Sequence, residues 1–185
     1  MDRRSLFENA PDLVPERMPP GVTAGELVEY MGNTSFEARR VFKGARLFRS
    51  MLESGDIIWL GIAGAGIAGG MGGMVISLME AGFIDVICST GAQVYHDLHF
   101  AFGLPVKKIK PNWDDNALRK HGDTRIYDIG IREYETLEAQ DALIREFVRD
   151  EYEALSGSSI ASWEFNNLLG KWVKEKADYL SLIHI

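Results

Sequence analysis

Two short stretches carry the residue types that could do chemistry. The first is Gly64-Ala65-Gly66-Ile67-Ala68-Gly69, which matches G-x-G-x-x-G. In such a spacing one glycine makes a tight turn, the next lets backbone approach a pyrophosphate, and the third lets a helix pack closely on a strand. The helix that follows offers free N–H groups and the positive end of its dipole to an anion. The second stretch is Ser89-Thr90-Gly91-Ala92, followed by Tyr95, His96, Asp97 and His99. His96 and Asp97 are expected at the mouth between two strand ends, where open α/β sheets bind ligands. The bland alternative for them is a capping or surface cluster. His96 and His99 share a helix face, but two histidines fall short of a metal site, and neither H-E-x-x-H nor C-x-x-C accompanies them.

The elements that must position these residues are legible in order. An apolar run, Ile57 to Leu60, precedes the glycines, and a helical pattern from about Met71 to Ala81 follows them. A second apolar run, Ile84 to Cys88, leads into Ser89-Thr90-Gly91. This is strand, glycine turn, helix, strand, polar turn, or half of a dinucleotide-binding fold. One feature departs from the ordinary dehydrogenase version, which wants an acid about 20 residues on, at the end of the second strand. Asp85 lies at that strand's beginning, out of reach of a ribose, and the far end carries Ser89 and Thr90. The expectation is a variant nucleotide site closed by two loops. The same stretch, Ile57 to Met79, has no charged residue and is long enough to span a bilayer, and Gly66 and Gly70 form a G-x-x-x-G pair. Seven glycines between Gly61 and Gly73, and acidic flanks at Glu53, Asp56, Glu80 and Asp85, argue against a membrane helix.

Upstream, residues 1–22 are polar and proline-bearing and read as an extended arm. Thr23-Ala24-Gly25-Glu26 is a capping-box pattern opening a helix to about Met31, and Thr34-Ser35-Phe36-Glu37 is a second, opening a helix to about Glu53. Val41, Ala45, Phe48 and Leu52 are expected on one face of that helix, with Arg39, Arg40, Lys43, Arg46 and Arg49 as a solvated face. Downstream, residues 92–102 and 116–121 read as helices, and 103–115 as a loop holding Lys107, Lys108 and Lys110. Residues 125–131 read as a third strand. A helix over 133–155 should turn Leu137, Ile144 and Val148 inward, and Ser158 or Ser159 should cap a last helix through Trp163, Leu168, Leu169 and Trp172. The two tryptophans are expected in a core or an interface.

Composition bounds the function. A 46% hydrophobic content over 185 residues is enough for a sizeable core in one domain. A formal charge of −7 argues against nucleic-acid binding and is compatible with a cationic substrate. The one cysteine, Cys88, sits in a predicted strand as a small core residue and can form no disulfide within the chain. The first residues carry no apolar signal segment, so the expected location is the cytoplasm. The expected class is α/β: a Rossmann-like three-layer parallel sheet with helices on both faces, truncated because only three strands are in view. Residues 23–179 are taken as the N-terminal part of a single α/β domain, and 180–185 as a truncated or non-native tail without functional weight.

In order along the chain, Asn33-Thr34-Ser35-Phe36-Glu37-Ala38, Ile58-Trp59-Leu60-Gly61 through Gly70, and Phe83-Ile84-Asp85-Val86 with Ser89-Thr90-Gly91-Ala92 resemble segments of the deoxyhypusine synthase family. Leu118-Arg119-Lys120-His121-Gly122 with Arg125-Ile126 resembles a later one. The resemblance implies an NAD-binding fold in a homotetramer with active sites between paired subunits. It implies an aminobutyl transfer in which NAD takes a hydride from spermidine. The resulting imine is attacked by an enzyme lysine, 1,3-diaminopropane leaves, and the aminobutyl group passes to an acceptor amine. The acceptor is a lysine of the translation factor 5A precursor in the true synthases and putrescine in homospermidine-forming relatives. By position, Gly64, Ala65, Gly66, Ile67 and Ala68 would lie along NAD, as would Thr90, Gly91 and Ala92 from the second loop. Tyr95, His96 and Asp97 would meet spermidine, with His96 also near NAD. The authentic synthases have a serine–asparagine pair at Gly64 and Ala65, and glutamates at Tyr95 and His96, so this chain is similar to the divergent synthase-like branch. The family's catalytic lysine belongs to a second half beyond Ile185, and no residue here takes that role. Retention of NAD or polyamine binding without catalysis is the alternative from another class.

Overall fold

The capping box at Thr23 forms as its spacing demands. The Thr23 hydroxyl accepts from the Glu26 N–H, and the Glu26 carboxylate accepts from the Thr23 N–H at 2.7 Å. The computed structural model describes residues 3–157, 159–177, 179 and 181. They divide into two units, residues 1–57 and 58–185.

The first unit contains α1 (Arg3–Glu8), α2 (Ala24–Gly32) and α3 (Phe36–Ser54). The arm is thus helical at its start and extended only beyond it. The Asn33 amide donates to the Glu16 carboxylate at 2.7 Å, fastening the arm to the end of α2. The second capping box does not form: the Thr34 hydroxyl donates back to the Met31 carbonyl, and Glu37 pairs with Arg40 instead. Phe36 opens α3 at a φ of +59°, and Ser35, at the N-cap, makes no side-chain capping hydrogen bond. Val41 is exposed, and Phe42 is the residue turned onto α2, where its ring fills the space beside Gly32. Exposed ion pairs Arg40–Glu37, Arg49–Glu53 and Arg46–Glu29 confirm a solvated basic face on α3.

The second unit opens with β1 (Trp59–Ile62), a π-helical turn (Ile67–Met71), α4 (Gly72–Glu80) and β2 (Val86–Ser89). β1 and β2 pair in parallel, with Trp59 opposite Val86 and Ile62 opposite Ser89. This is the expected strand–turn–helix–strand unit. α5 (Gly91–Ala101) follows. The chain then departs from an all-parallel plan. β3 (Val106–Lys108) forms inside the stretch expected to be a loop, and α6 (Asp115–Lys120) follows it. The expected third strand is a hairpin, β4 (Asp123–Ile126) and β5 (Ile129–Arg132), and the three strands make an antiparallel sheet in the order β3-β5-β4. Among the described residues the structure is therefore mixed α/β, with a two-stranded parallel sheet and a three-stranded antiparallel one.

A π-helical turn (Glu133–Glu138) leads into α7 (Ala139–Asp150), then α8 (Tyr152–Leu155) and α9 (Ser162–Lys176). The core lies between α5, α7 and α9 and is built from Leu98, Ala101, Phe147, Leu169, Trp172 and Val173. Phe147 takes the buried position on α7, while Val148, expected inside, is exposed. Trp172 is buried with its indole N–H donating to Asp150 at 2.9 Å, whereas Trp163 is 70% exposed. α9 is not capped by Ser159. Ala161 precedes its first turn, and the Ala161 N–H donates to the Glu164 carboxylate at 2.7 Å. Ser158 lies outside the described residues, as does the tail from residue 180 except Ser181. Cys88 is exposed, and so is Ser89 beside it at the carboxyl end of β2, whereas Val86 and Ile87 are half-buried. No helix among the described residues is long and apolar enough to cross a membrane.

Candidate functional site

The parallel register brings the carboxyl ends of β1 and β2 side by side, so the turns that follow them, at Gly64 and at Thr90, are neighbours. Gly64 has a φ of +81°, which a residue with a side chain adopts only at a cost, and nothing lies within 4 Å of where its Cβ would stand. The turn is thus both glycine-dependent and open to approach. Beyond it the first helical turn buries Ile67 and Ala68. A left-handed Gly70, at φ +87°, then re-aims the chain into α4. Gly69, third in the sequence motif, makes only ordinary contact with Ile129, at 3.7 Å from a notional Cβ, so close helix packing does not depend on it.

The second turn is tied to the first by a residue the motif did not mark. Gln93 is 2% exposed, and its carboxamide N–H donates to the Gly64 carbonyl at 2.8 Å. Its backbone N–H donates to the Thr90 carbonyl at 3.0 Å. Ser89, Gln93 and Asp97 line a cavity of about 490 Å³ over the sheet face, together with Asn166, Lys171 and Lys174 of α9. The spacing of Asn166, Gly170 and Lys174 on one helical face is the signal that could have placed α9 there. Thr90, Gly91 and Tyr95 line a second, more apolar cavity of about 350 Å³ against Ile144 and Phe165. Asp85 does not serve either turn: its carboxylate accepts from the Ile58 N–H at 2.7 Å, at the opposite end of both strands.

Tyr95, His96 and Asp97 follow one another on α5 and therefore fan around it, about 100° apart. Asp97 is buried and faces the start of α4, its carboxylate 3.6 Å from where a Cβ on Gly72 would sit. Tyr95 turns the other way and donates to Asp141 of α7 at 3.0 Å, while its carbonyl accepts from the Gln140 amide at 2.7 Å. Burial, with the Asp141 carboxylate beside it, pushes the Tyr95 hydroxyl up to about 12. His96 lies 3.2 Å from His99, nitrogen to nitrogen, and lines neither cavity. Burial lowers His96 and pushes His99 down to about 4, against the opposing effect of Gln140. Both imidazoles are neutral at pH 7, so the pair works as a hydrogen-bonded strut. No group of three or more metal-ligating side chains comes together among the described residues.

Residues 26–184 match the protein family described as deoxyhypusine synthase. The chain is 33% identical to a deoxyhypusine synthase-like protein of Cyanothece over 165 residues, covering 88% of this chain and 40% of that protein. It is 35% identical to a deoxyhypusine synthase-like protein of Nostoc punctiforme, covering 82% of this chain and 38% of that one. It is 30% identical to the protein named Probable deoxyhypusine synthase 1 of Archaeoglobus fulgidus, covering 88% of this chain and 52% of that one. The chain thus spans about half or less of the length of these relatives.

Proposed function

The chain belongs to the deoxyhypusine synthase family, and on that premise we propose that it supplies the nucleotide-binding end of an NAD-dependent aminobutyl transferase. The observation that carries this is the pair of turns at the carboxyl ends of two parallel strands, one open at Gly64 and the other at Thr90, tied by Gln93. Such a cleft suits a dinucleotide, and the residues present fit one. Gly64, Ala65 and Gly66, with Ile67 and Ala68 in the first helical turn, would hold the pyrophosphate, and Thr90, Gly91 and Ala92 the far half. When bound, NAD supplies a hydride acceptor for a polyamine and a donor for the product imine.

This chain's own residues would bind and orient. Asp97, buried beside the open cavity, offers a carboxylate to a polyamine cation. Tyr95 is held protonated at neutral pH and so acts as a hydrogen-bond group and not as a base. His96, neutral, is braced by His99 beside the same helix. The family's nucleophilic lysine is not assigned to any residue of this chain; Lys171 lies on α9 and lines the cavity. The substrate proposed is spermidine. The acceptor is a lysine of a translation factor 5A precursor or, in the alternative, putrescine. In the complete protein we place residues 23–179 in a Rossmann-like three-layer NAD-binding domain, assembled as a cytoplasmic homotetramer.

The test is titration of the 185-residue chain with NAD, followed by an assay for 1,3-diaminopropane from spermidine. NAD binding without release is expected. Release of diaminopropane by this chain alone would overturn the assignment of catalysis to residues outside it. Absence of NAD binding by the folded chain would overturn the nucleotide site.

A further inference from the structure

We propose that Gln93 is a positioning residue that sets the Gly64 turn to receive an anion, an inference that rests on the nucleotide reading of that turn. Gln93 reaches across 29 positions of sequence to donate its carboxamide N–H to the Gly64 carbonyl at 2.8 Å. A trans peptide is planar, and the carbonyl of one residue points opposite to the N–H of the next. Holding the Gly64 carbonyl toward Gln93 therefore turns the Ala65 N–H to the opposite side of the peptide plane, away from Gln93. The turn is also uncrowded: nothing lies within 4 Å of where a Gly64 Cβ would stand. Gln93 thus fixes the direction of a backbone donor it never touches. The glycine makes the turn possible, and the glutamine selects one of the orientations that glycine permits.

The other end of the same carboxamide argues that the donor is what matters. Gln93 Oε1 is buried and has no hydrogen-bond partner among the described residues. A buried acceptor left unpaired costs stability, so an apolar side chain of similar shape would serve packing better. The second contact of the carboxamide N–H, to the Thr90 hydroxyl at 3.4 Å, is long, and it ties the same amide to the second turn. One side chain thereby holds both loops of the cleft in a fixed relation.

The experiment compares the 185-residue chain with its Gln93→Met variant, which keeps the length and loses the donor. Amide hydrogen exchange at residues 64–68 should be about tenfold faster in Q93M, and NAD should bind about tenfold more weakly. Melting should be little changed. Unchanged exchange and unchanged NAD affinity in a folded Q93M overturn the proposal. If the wild-type chain binds no NAD, the nucleotide reading falls, and the exchange comparison still decides whether Gln93 holds the turn. Should Q93M fail to fold, the side-chain amide protons of Gln93 in the wild type decide the matter. One should be protected from exchange, and free exchange of both overturns the proposal.

Discussion

His99 shows how a residue can be read correctly by type and missed in effect. Its place three residues after His96 was plain in the sequence, but its complete burial arises only in the fold. In the unfolded chain an imidazole takes up its proton near pH 6.5, while folded His99 does so only near pH 4. Below pH 6.5 the unfolded state binds more protons, so stability is unaffected by this group above that pH. It should fall by up to about 3 kcal/mol as the pH drops to about 4. His96 is lowered in the same direction. Urea unfolding of the wild type and of His99→Leu at about pH 7.5 and about pH 4.5 checks this. The variant should lose less stability than the wild type; parallel losses would contradict the assignment. Gln93 was invisible for a different reason: a glutamine near a helix start matches no motif, and its partner Gly64 is distant in sequence. Asp85 was legible as misplaced for a ribose, because its position on the strand follows from spacing alone. Its hydrogen bond to Ile58 needed the parallel register.

At the scale of elements, the strand–glycine turn–helix–strand unit was legible because apolar runs, glycines and helical periodicity agree there. The antiparallel sheet was not. The β4–β5 hairpin turns at Tyr127-Asp128, without the glycine or asparagine that marks such a turn, and Tyr127 takes a φ of +55°. A tyrosine in that region is strained, so the sequence offered one strand where the fold makes two. Replacing Tyr127 by Asn, which tolerates the left-handed region, should stabilise the second unit by about 0.5–1 kcal/mol. A rise in the urea midpoint without a change in slope would show it. A lowered midpoint would mean the exposed Tyr127 ring contributes more than its backbone costs. The inward face of α7 was misjudged by one residue, Val148 for Phe147, because the positions three and four beyond Ile144 are both apolar and only packing in the core selects Phe147. The exposure of Cys88 has an equally local cause. A strand core was expected, but β2 is half-buried only at Val86 and Ile87 and exposed at its carboxyl end, where Cys88 lies.

At the scale of the molecule, the proposed cleft lies at the carboxyl ends of the parallel pair, within a mixed α/β architecture. The chain spans about half or less of its relatives' length, so the chemistry proposed for the complete protein draws on residues beyond this chain. In the first unit α2 and α3 bury no residue, and Leu27, Val41 and Leu47 stand exposed. That surface supports the proposal of assembly with further protein. The measurement that bears most directly on the central claim is release of 1,3-diaminopropane from spermidine by the complete gene product that contains this chain, with and without NAD. The account predicts release only with NAD, and transfer of the aminobutyl group to a protein lysine or to putrescine. A folded, NAD-saturated protein that releases none with either acceptor present would contradict it.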